Sequence, residues 1–459
     1  MLCDRTASDI LKDLARGALT VEALMQATLD RIGERNPALN AIVALRPTED
    51  LMAEARAADA VPRAERGPLH GLPMAIKDLS NAKGLVTSQG SPIFAGQVAQ
   101  EDDIFVARLR AAGVIVIGKT NTPEFGLGSH TYNPVYGATG NVVDPSRSAG
   151  GSSGGAAVAL AAGMVALADG SDMMGSLRNP AGWNEIYGFR PTWGWIPSEP
   201  VGDVFLHPLS TSGPMARTPE DLALLLDVMS GSDPRLPLAR GAETVSPLKA
   251  PKPLRLGWLG DWGGAYPMDD GLLETCDAAL QTFVEQGHTV ERIAPPYPAE
   301  KIWQSWITLR SFAVAAGLRG LNNRRADLKE AALWELDRGL GFSAQEVQEA
   351  SDLRSGWMRA AARMFQRYDA VVLPTAQCWP FPIDWDYPKE IAGKPLDTYH
   401  RWMEVVVPAS LLGLPALAVP AGRGGADHLP IGLQIIGPHG SDGQILGLGQ
   451  GYHTARAAL

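Results

Sequence analysis

Apolar residues recur at helical spacing from the start of the chain. Ile10, Leu11 and Leu14 mark one helix over residues 7–14. Val21, Leu24, Met25, Leu29 and Ile32 mark a second, with Thr20 placed to cap it. Residues 40–45, Asn-Ala-Ile-Val-Ala-Leu, read as a strand. A third helical pattern over 102–112, carrying Ile104, Phe105 and Leu109, stops at Gly113. It gives way to Val114-Ile-Val-Ile117, a β-branched run that predicts a buried strand. The apolar run 254–259 then precedes a helix over 272–285, and Val371-Val-Leu373 follows a helix around 358–368. Such alternation predicts an α/β fold with a mixed, partly parallel sheet.

Two stretches depart from this pattern. Residues 127–215 are rich in Gly, Ser, Asn and Pro, with helical character only in the small-residue stretch 154–168. A long irregular segment in a compact enzyme is expected to carry function. Residues 300–405 collect Trp303, Trp306, Trp334, Trp357, Trp379, Trp385 and Trp402, which fit either amphipathic helices over a core or an aromatic substrate pocket. The 459 residues, 45% hydrophobic and 20% charged, describe a globular chain large enough to need no disulfide or metal for stability. A net charge of −10 without a dense Lys/Arg cluster argues against a nucleic-acid partner. Cys3, Cys276 and Cys378 are too scattered for a disulfide framework or a metal knuckle. The N-terminus has no signal-like apolar region, and the longest apolar run, 156–168, is too short to span a bilayer. A soluble, cytoplasmic protein without a membrane partner is expected.

Three motif matches mislead. Gly113-Val-Ile-Val-Ile-Gly118-Lys119-Thr120 fits the phosphate-loop pattern, but a phosphate loop follows a strand and is itself flexible. Here a helix precedes Gly113 and the intervening residues are the strand. Gly118-Lys119-Thr120 then reads as a strand exit into Asn121-Thr122-Pro123-Glu124, a helix start with proline in its first turn. Gly150-Gly151-Ser152-Ser153-Gly154 fits a hydrolase nucleophile elbow, yet loop residues precede it, and His207, His288, His400, His428, His439 and His453 have no evident acid partner. Ser80-Asn-Ala-Lys83 and Ser246-Pro-Leu-Lys249 fit SxxK without the companion motifs of that class. No zinc-protease motif and no His/Asp/Glu cluster with metal spacing occurs, so no metal or cofactor is expected.

Gly71-Leu-Pro-Met-Ala-Ile-Lys77-Asp78 places a lysine at the end of an apolar run. Held in an apolar, serine-rich pocket, such a lysine loses its ammonium form to desolvation and can act as a base. At the surface it would simply pair with Asp78. The tract from Asp144 to Gly163, with Arg147-Ser-Ala-Gly-Gly-Ser152-Ser153-Gly154-Gly155 at its centre, bears on that choice. Together with Lys77 it resembles the amidase signature family. So do Gly118-Lys-Thr-Asn-Thr-Pro-Glu-Phe125, Asp172-Met-Met-Gly-Ser-Leu-Arg178, Gly188-Phe-Arg-Pro-Thr192, Ser212-Gly-Pro-Met-Ala-Arg217, Tyr368-Asp-Ala-Val-Val-Leu-Pro-Thr375, Gly413-Leu-Pro-Ala-Leu-Ala-Val-Pro420 and Gly432-Leu-Gln-Ile-Ile-Gly437. The resemblance spans nearly the whole chain and is loosest over 220–400.

The resemblance implies one large domain over 1–459, a mixed sheet flanked by helices, with a more variable, aromatic-rich substrate side at about 300–405. It implies amide hydrolysis without a cofactor, by Ser176 as nucleophile, Ser152 as proton relay behind a cis Gly151–Ser152 peptide, and Lys77 as base. The oxyanion hole would be the turn Met173, Met174, Gly175 and Ser176, with Ser153, Asp172, Arg178 and Gly151 in support. The family usually reads Asp-Thr-Gly-Gly-Ser here, whereas this chain has Met173-Met174. Methionine resists positive φ and adds apolar bulk beside the acyl carbon. Trp183 and the run 379–387 are candidate apolar walls, and a hydrophobic or aryl small-molecule substrate is expected. The same triad serves carbamates (urethanes), esters, hydrazides and cyclic amides, and also the glutamine-hydrolysing component of an amidotransferase. A homodimer is compatible with the sequence.

Overall fold

Two of the apolar strands expected from the sequence, 254–259 and 371–373, lie side by side in an eight-stranded sheet. The computed structural model describes residues 2–206, 208–241 and 243–457. Met1, His207, Ala242, Ala458 and Leu459 lie outside the described residues, among them one of the candidate histidines. In spatial order the strands are Thr289–Arg292, Arg255–Trp258, Ala370–Pro374, Leu429–Ile436, Ala416–Gly424, Tyr187–Arg190, Thr211–Ala216 and Leu167–Asp172. The first two pairings are parallel and the other five antiparallel. Ala370–Pro374 and Leu429–Ile436 are buried along their whole length, as strands apolar on both faces require. Helices Asn179–Trp183, Leu272–Glu285 and Asp442–Ala457 pack on this sheet. The molecule is therefore one α/β domain, a mixed sheet flanked by helices. Among the described residues no helix is long and apolar enough to cross a membrane.

A second sheet carries Ile42–Val43, Ile115–Thr120 and Pro73–Lys77, with the last two parallel. It meets the edge strand of the large sheet where the Lys77 N–H donates to Asp169 Oδ1 at 3.1 Å. That junction fixes the end of Pro73–Lys77 against Leu167–Asp172.

Several sequence expectations are met within a few residues. Thr20 caps helix Val21–Leu39 as expected by accepting from Ala23 N, and Thr6, not singled out in the sequence, caps Ala7–Arg16 by accepting from Asp9 N. Others are corrected. The strand expected over 40–45 is only Ile42–Val43, because Asn40 and Ala44 on either side take φ of 50° and 47°. Gly118, Lys119 and Thr120 are not a strand exit. They stay in the strand Ile115–Thr120, paired with Ala75, Ile76 and Lys77. Gly118 sits in close packing there, where a Cβ would stand 3.0 Å from Leu45 Cα. The helix expected after Pro123 is a single 3-10 turn, Glu124–Gly126, broken by Phe125 at φ 54°, whose N–H goes to Gln89 O at 2.8 Å.

The tryptophan-rich stretch forms mainly core. Helices Ala299–Leu318, Glu330–Gly341 and Ala344–Met364 bury Trp303, Trp306 and Trp357, and Trp402 stacks on Trp183 at 5.1 Å. Trp385 alone of that set is exposed.

Gly188, on the strand Tyr187–Arg190, shows how tightly the turn after Ser176 is held, because a Cβ there would stand 2.0 Å from the backbone oxygen of Leu177. Backbone cannot give way as a flexible side chain can. Gly188→Ala should therefore lower the unfolding free energy by about 3 kcal/mol, read as a shifted denaturation midpoint. An unchanged midpoint would contradict this close approach.

Candidate active site

Pro73–Lys77 is buried throughout, so its last residue carries an amine into the protein interior. Lys77 is 1% exposed. Its Nζ contacts Ser152 Oγ at 2.8 Å, Ser153 Oγ at 2.8 Å and Ser171 Oγ at 3.0 Å. Among the described residues no carboxylate forms an ion pair with that amine; Asp169 bonds the Lys77 backbone instead. Burial pushes the Lys77 ammonium down to about 7, against the opposing pull of Asp169 and Asp172. Burial likewise pushes the Asp169 carboxyl up to about 6. Asp78, the surface partner considered for Lys77, is itself buried and lies 3.8 Å from Lys119.

Ser152 and Ser153 close the loop that precedes helix Gly154–Ala161, and the Gly151–Ser152 peptide is cis. Close packing holds this loop. The Gly151 N–H donates to Asn179 Oδ1 at 3.0 Å, and a Cβ at Gly154 would stand 2.3 Å from Thr131 Oγ1.

Ser176 sits on the turn between strand Leu167–Asp172 and helix Asn179–Trp183. Asp172 organises that turn. Its carboxylate accepts from Gly175 N at 3.0 Å and Leu177 N at 3.2 Å, and from Arg178 Nε and Nη2 at 3.0 Å each. Arg190 Nη1 reaches the same carboxylate at 3.1 Å. Burial by itself would raise the Asp172 carboxyl, but the Arg178 and Arg190 guanidiniums hold it well below the usual carboxylate range. Arg178 also reaches Gln434 Oε1 and Ser410 Oγ, both at 2.6 Å, which ties the turn to two distant segments.

Gly175 takes φ 78°, and a Cβ there would stand 2.8 Å from Val406 Cγ2. Met173 and Met174 do not take positive φ, so the strain anticipated for methionine does not arise. The Gly175 N–H donates to Asp172 Oδ1 at 3.0 Å. Among the described residues no acceptor takes the N–H groups of Met173, Met174 or Ser176.

Ser152, Ser171 and Ser176 line one cavity of about 300 Å³, whose apolar walls include Phe125, Leu127, Met173, Met174, Val314 and Leu318. Lys77 lies behind the serines and does not line it. No hydrogen bond joins Ser152 to Ser176 among the described residues. Trp183 and the run 379–387 are not walls of this cavity. Trp183 is packed between Phe381 and Trp402, and Trp379, Phe381 and Trp385 border a separate cavity. None of the described histidines hydrogen-bonds Ser152: His439 faces Leu412 O and His453 faces Tyr187. Among the described residues no group of three His, Cys, Asp or Glu could hold a metal.

The sequence reading missed Ser171, Asp169 and Arg190. Asp169 and Ser171 alternate along Leu167–Asp172 and so face the same side, a signal available in the sequence. Arg190 ends an otherwise apolar buried strand, which demands a counter-charge.

Residues 23–446 match the amidase family. The chain belongs to the amidase signature family. It is 33% identical over 461 residues to an acylamidase of Rhodococcus erythropolis, covering 98% of this chain and 95% of that one. It is 35% identical to a glutamyl-tRNA(Gln) amidotransferase component of Thermus thermophilus, covering 99% and 98%. A bacterial aryl acylamidase of the same family superposes with a TM-score of 0.90 at 26% identity, covering 98% of this chain and 96% of that one. This amidase is an amide-hydrolysing enzyme.

Asp172→Asn in this amidase would leave two buried guanidiniums without their shared anion. The expected loss is about 3–5 kcal/mol of unfolding free energy at neutral pH. The folded carboxyl titrates below its unfolded value of about 3.9. Its contribution is thus complete above that pH and lost as the pH falls toward the folded value. Wild-type stability should decline more steeply in acid than that of Asp172→Asn, as denaturant titrations at several pH values would show. Parallel slopes would contradict the buried ion pairs.

Proposed function

We propose that this amidase cleaves a carbon–nitrogen amide bond of a hydrophobic or aryl substrate through an acyl-enzyme on Ser176. The observation that carries this reading is the buried Lys77 amine, without a carboxylate partner among the described residues, 2.8 Å from Ser152 Oγ. A neutral amine has a lone pair to receive a proton, and with Lys77 outside the cavity that proton must travel through a serine. Ser152 gives its proton to Lys77 Nζ as it takes the proton of Ser176, and Ser176 Oγ bonds to the carbonyl carbon. This relay needs a Ser152–Ser176 hydrogen bond, which belongs to the substrate complex. The oxyanion is met by the N–H groups of Met173, Met174 and Ser176, each worth about 3 kcal/mol where its aim is good. The proton then returns from Lys77 through Ser152 to the leaving nitrogen, the C–N bond breaks, and the amine departs. Water, deprotonated along the same path, releases the acid.

Ser153 supports this relay by holding Lys77 Nζ at 2.8 Å, and Gly151, Asp172 and Arg178 support the two turns. The helical segment Ala299–Leu318 supplies substrate walls through Val314 and Leu318. Carbamates, esters, hydrazides and cyclic amides present the same carbonyl to Ser176. The amidotransferase relative of Thermus thermophilus favours glutamine as a second reading, whereas the acylamidase relatives and the apolar walls favour an anilide.

Lys77→Met should lower kcat/KM on an anilide by about 10³-fold or more with the fold retained. In the wild type, kcat/KM should rise about tenfold per pH unit below pH 7 and level off above it, as Lys77 loses its proton. A flat profile, or glutamine turned over faster than the anilide, would contradict the proposal.

A further inference from the structure

Arg310 is 3% exposed on helix Ala299–Leu318, yet it lines the same cavity as Ser152 and Ser176. A guanidinium taken out of water needs a counter-charge and acceptors for its five N–H groups. Glu335, fully buried on the neighbouring helix Glu330–Gly341, supplies the charge and accepts from Arg310 Nε at 2.7 Å. The same carboxylate accepts from Tyr399 Oη at 2.8 Å and Ser311 Oγ at 2.6 Å. His400 stands 2.9 Å from it, its ring kept neutral at neutral pH by burial. Arg310 Nη2 donates to Tyr399 Oη at 3.2 Å.

Arg310 Nη1 differs from these. Its acceptor is the Met173 thioether, at 3.2 Å. Sulfur is a weak acceptor, so a charged donor at the cavity wall is satisfied by the poorest partner available. Met173 also begins the turn whose free N–H groups face the reacting carbonyl in the proposed reaction. A substrate oxygen that displaces this sulfur exchanges a weak contact for a charge-assisted hydrogen bond. A substrate carboxylate gains less, because Glu335 already balances Arg310 and the arriving anion would be desolvated without a net counter-charge.

We propose that Arg310 is a specificity-determining residue that selects uncharged amides bearing a second acceptor oxygen, such as a carbonyl, ether or alkoxycarbonyl oxygen, through Nη1 beside Met173. The proposal rests on the acyl-enzyme reading. It adds one charged, directional donor to a cavity with apolar walls at Phe125, Leu127, Val314 and Leu318.

The test uses three matched anilides that differ at one position, carrying an ether oxygen, a methylene or a carboxylate. For the wild type, kcat/KM for the ether compound should exceed that of the methylene compound by about 30-fold, and the carboxylate compound should be the poorest. In the double variant Arg310→Met/Glu335→Gln, which removes the charge pair together, the ether-to-methylene ratio should fall to within about threefold of unity. The ratio does not depend on the amount of folded enzyme, so a purely structural role for Arg310 would leave it unmoved. Arg310→Lys, which keeps the charge and displaces the donor, should lower the ratio at least about fivefold and decides the matter if the double variant does not fold. A wild-type ratio near one, or a ratio unchanged in the variants, would overturn the proposal. Ser176→Ala assayed in parallel separates the two readings: residual turnover there would count against the acyl-enzyme and leave the Arg310 ratios to be judged by themselves.

Discussion

The interior of this protein holds the Lys77 amine, without a salt-bridge partner among the described residues, and much of the surrounding structure follows from that constraint. Taking an ammonium out of water is costly unless a carboxylate meets it, and here the group lowers its pKa instead. Burial lowers the pKa of two neighbouring lysines, Lys119 and Lys77, which differ in what surrounds the amine. Lys119, beside Ile76 in the register, lies 3.8 Å from Asp78. Lys77, one residue further along, is surrounded at its tip by the hydroxyls of Ser152, Ser153 and Ser171. Hydroxyls can donate to a lone pair as well as accept from an N–H, so they solvate either protonation state. That is the environment a proton relay requires.

The proposed relay of short side chains would work only if its backbone cannot drift, and two tightly packed turns hold it. One is the loop 150–153, squeezed between Asn179 and Thr131. The other is wound around Asp172, whose carboxylate is shared by two guanidiniums and two backbone N–H groups. Arg178 extends the second turn to Gln434 and Ser410, which join it to the large sheet and to helix Val407–Leu412. Buried charge here serves position: it holds the turn that carries Ser176 against the cavity and takes the Gly175 N–H in doing so.

Sequence pattern made the fold class and the local elements legible where periodicity was strong, as in Leu272–Glu285 and Ala370–Pro374. It failed where long-range contacts override local preference. Gly118–Thr120 continue as strand because Pro73–Lys77 and Ile42–Val43 pair with them on either side. Motif resemblance singled out Lys77, Ser152 and Ser176, and the fold brings Lys77 Nζ to 2.8 Å from Ser152 Oγ. The resemblance could not assign Asp78 to Lys119 or put Trp183 in the core against Trp402, because each depends on which side chain arrives from a distant segment. Arg310 was invisible for the same reason. An arginine within a tryptophan-rich helix reads as surface until Glu335, Tyr399 and His400 are seen around it.

The central claim is that Ser176 is the nucleophile and that Lys77 activates it through Ser152. Labelling the enzyme with a serine-directed fluorophosphonate and locating the adduct by peptide mass spectrometry tests this most directly. The account predicts an adduct on Ser176 that is lost in Lys77→Ala. An adduct on Ser152, or one on Ser176 that forms equally fast without Lys77, would contradict it.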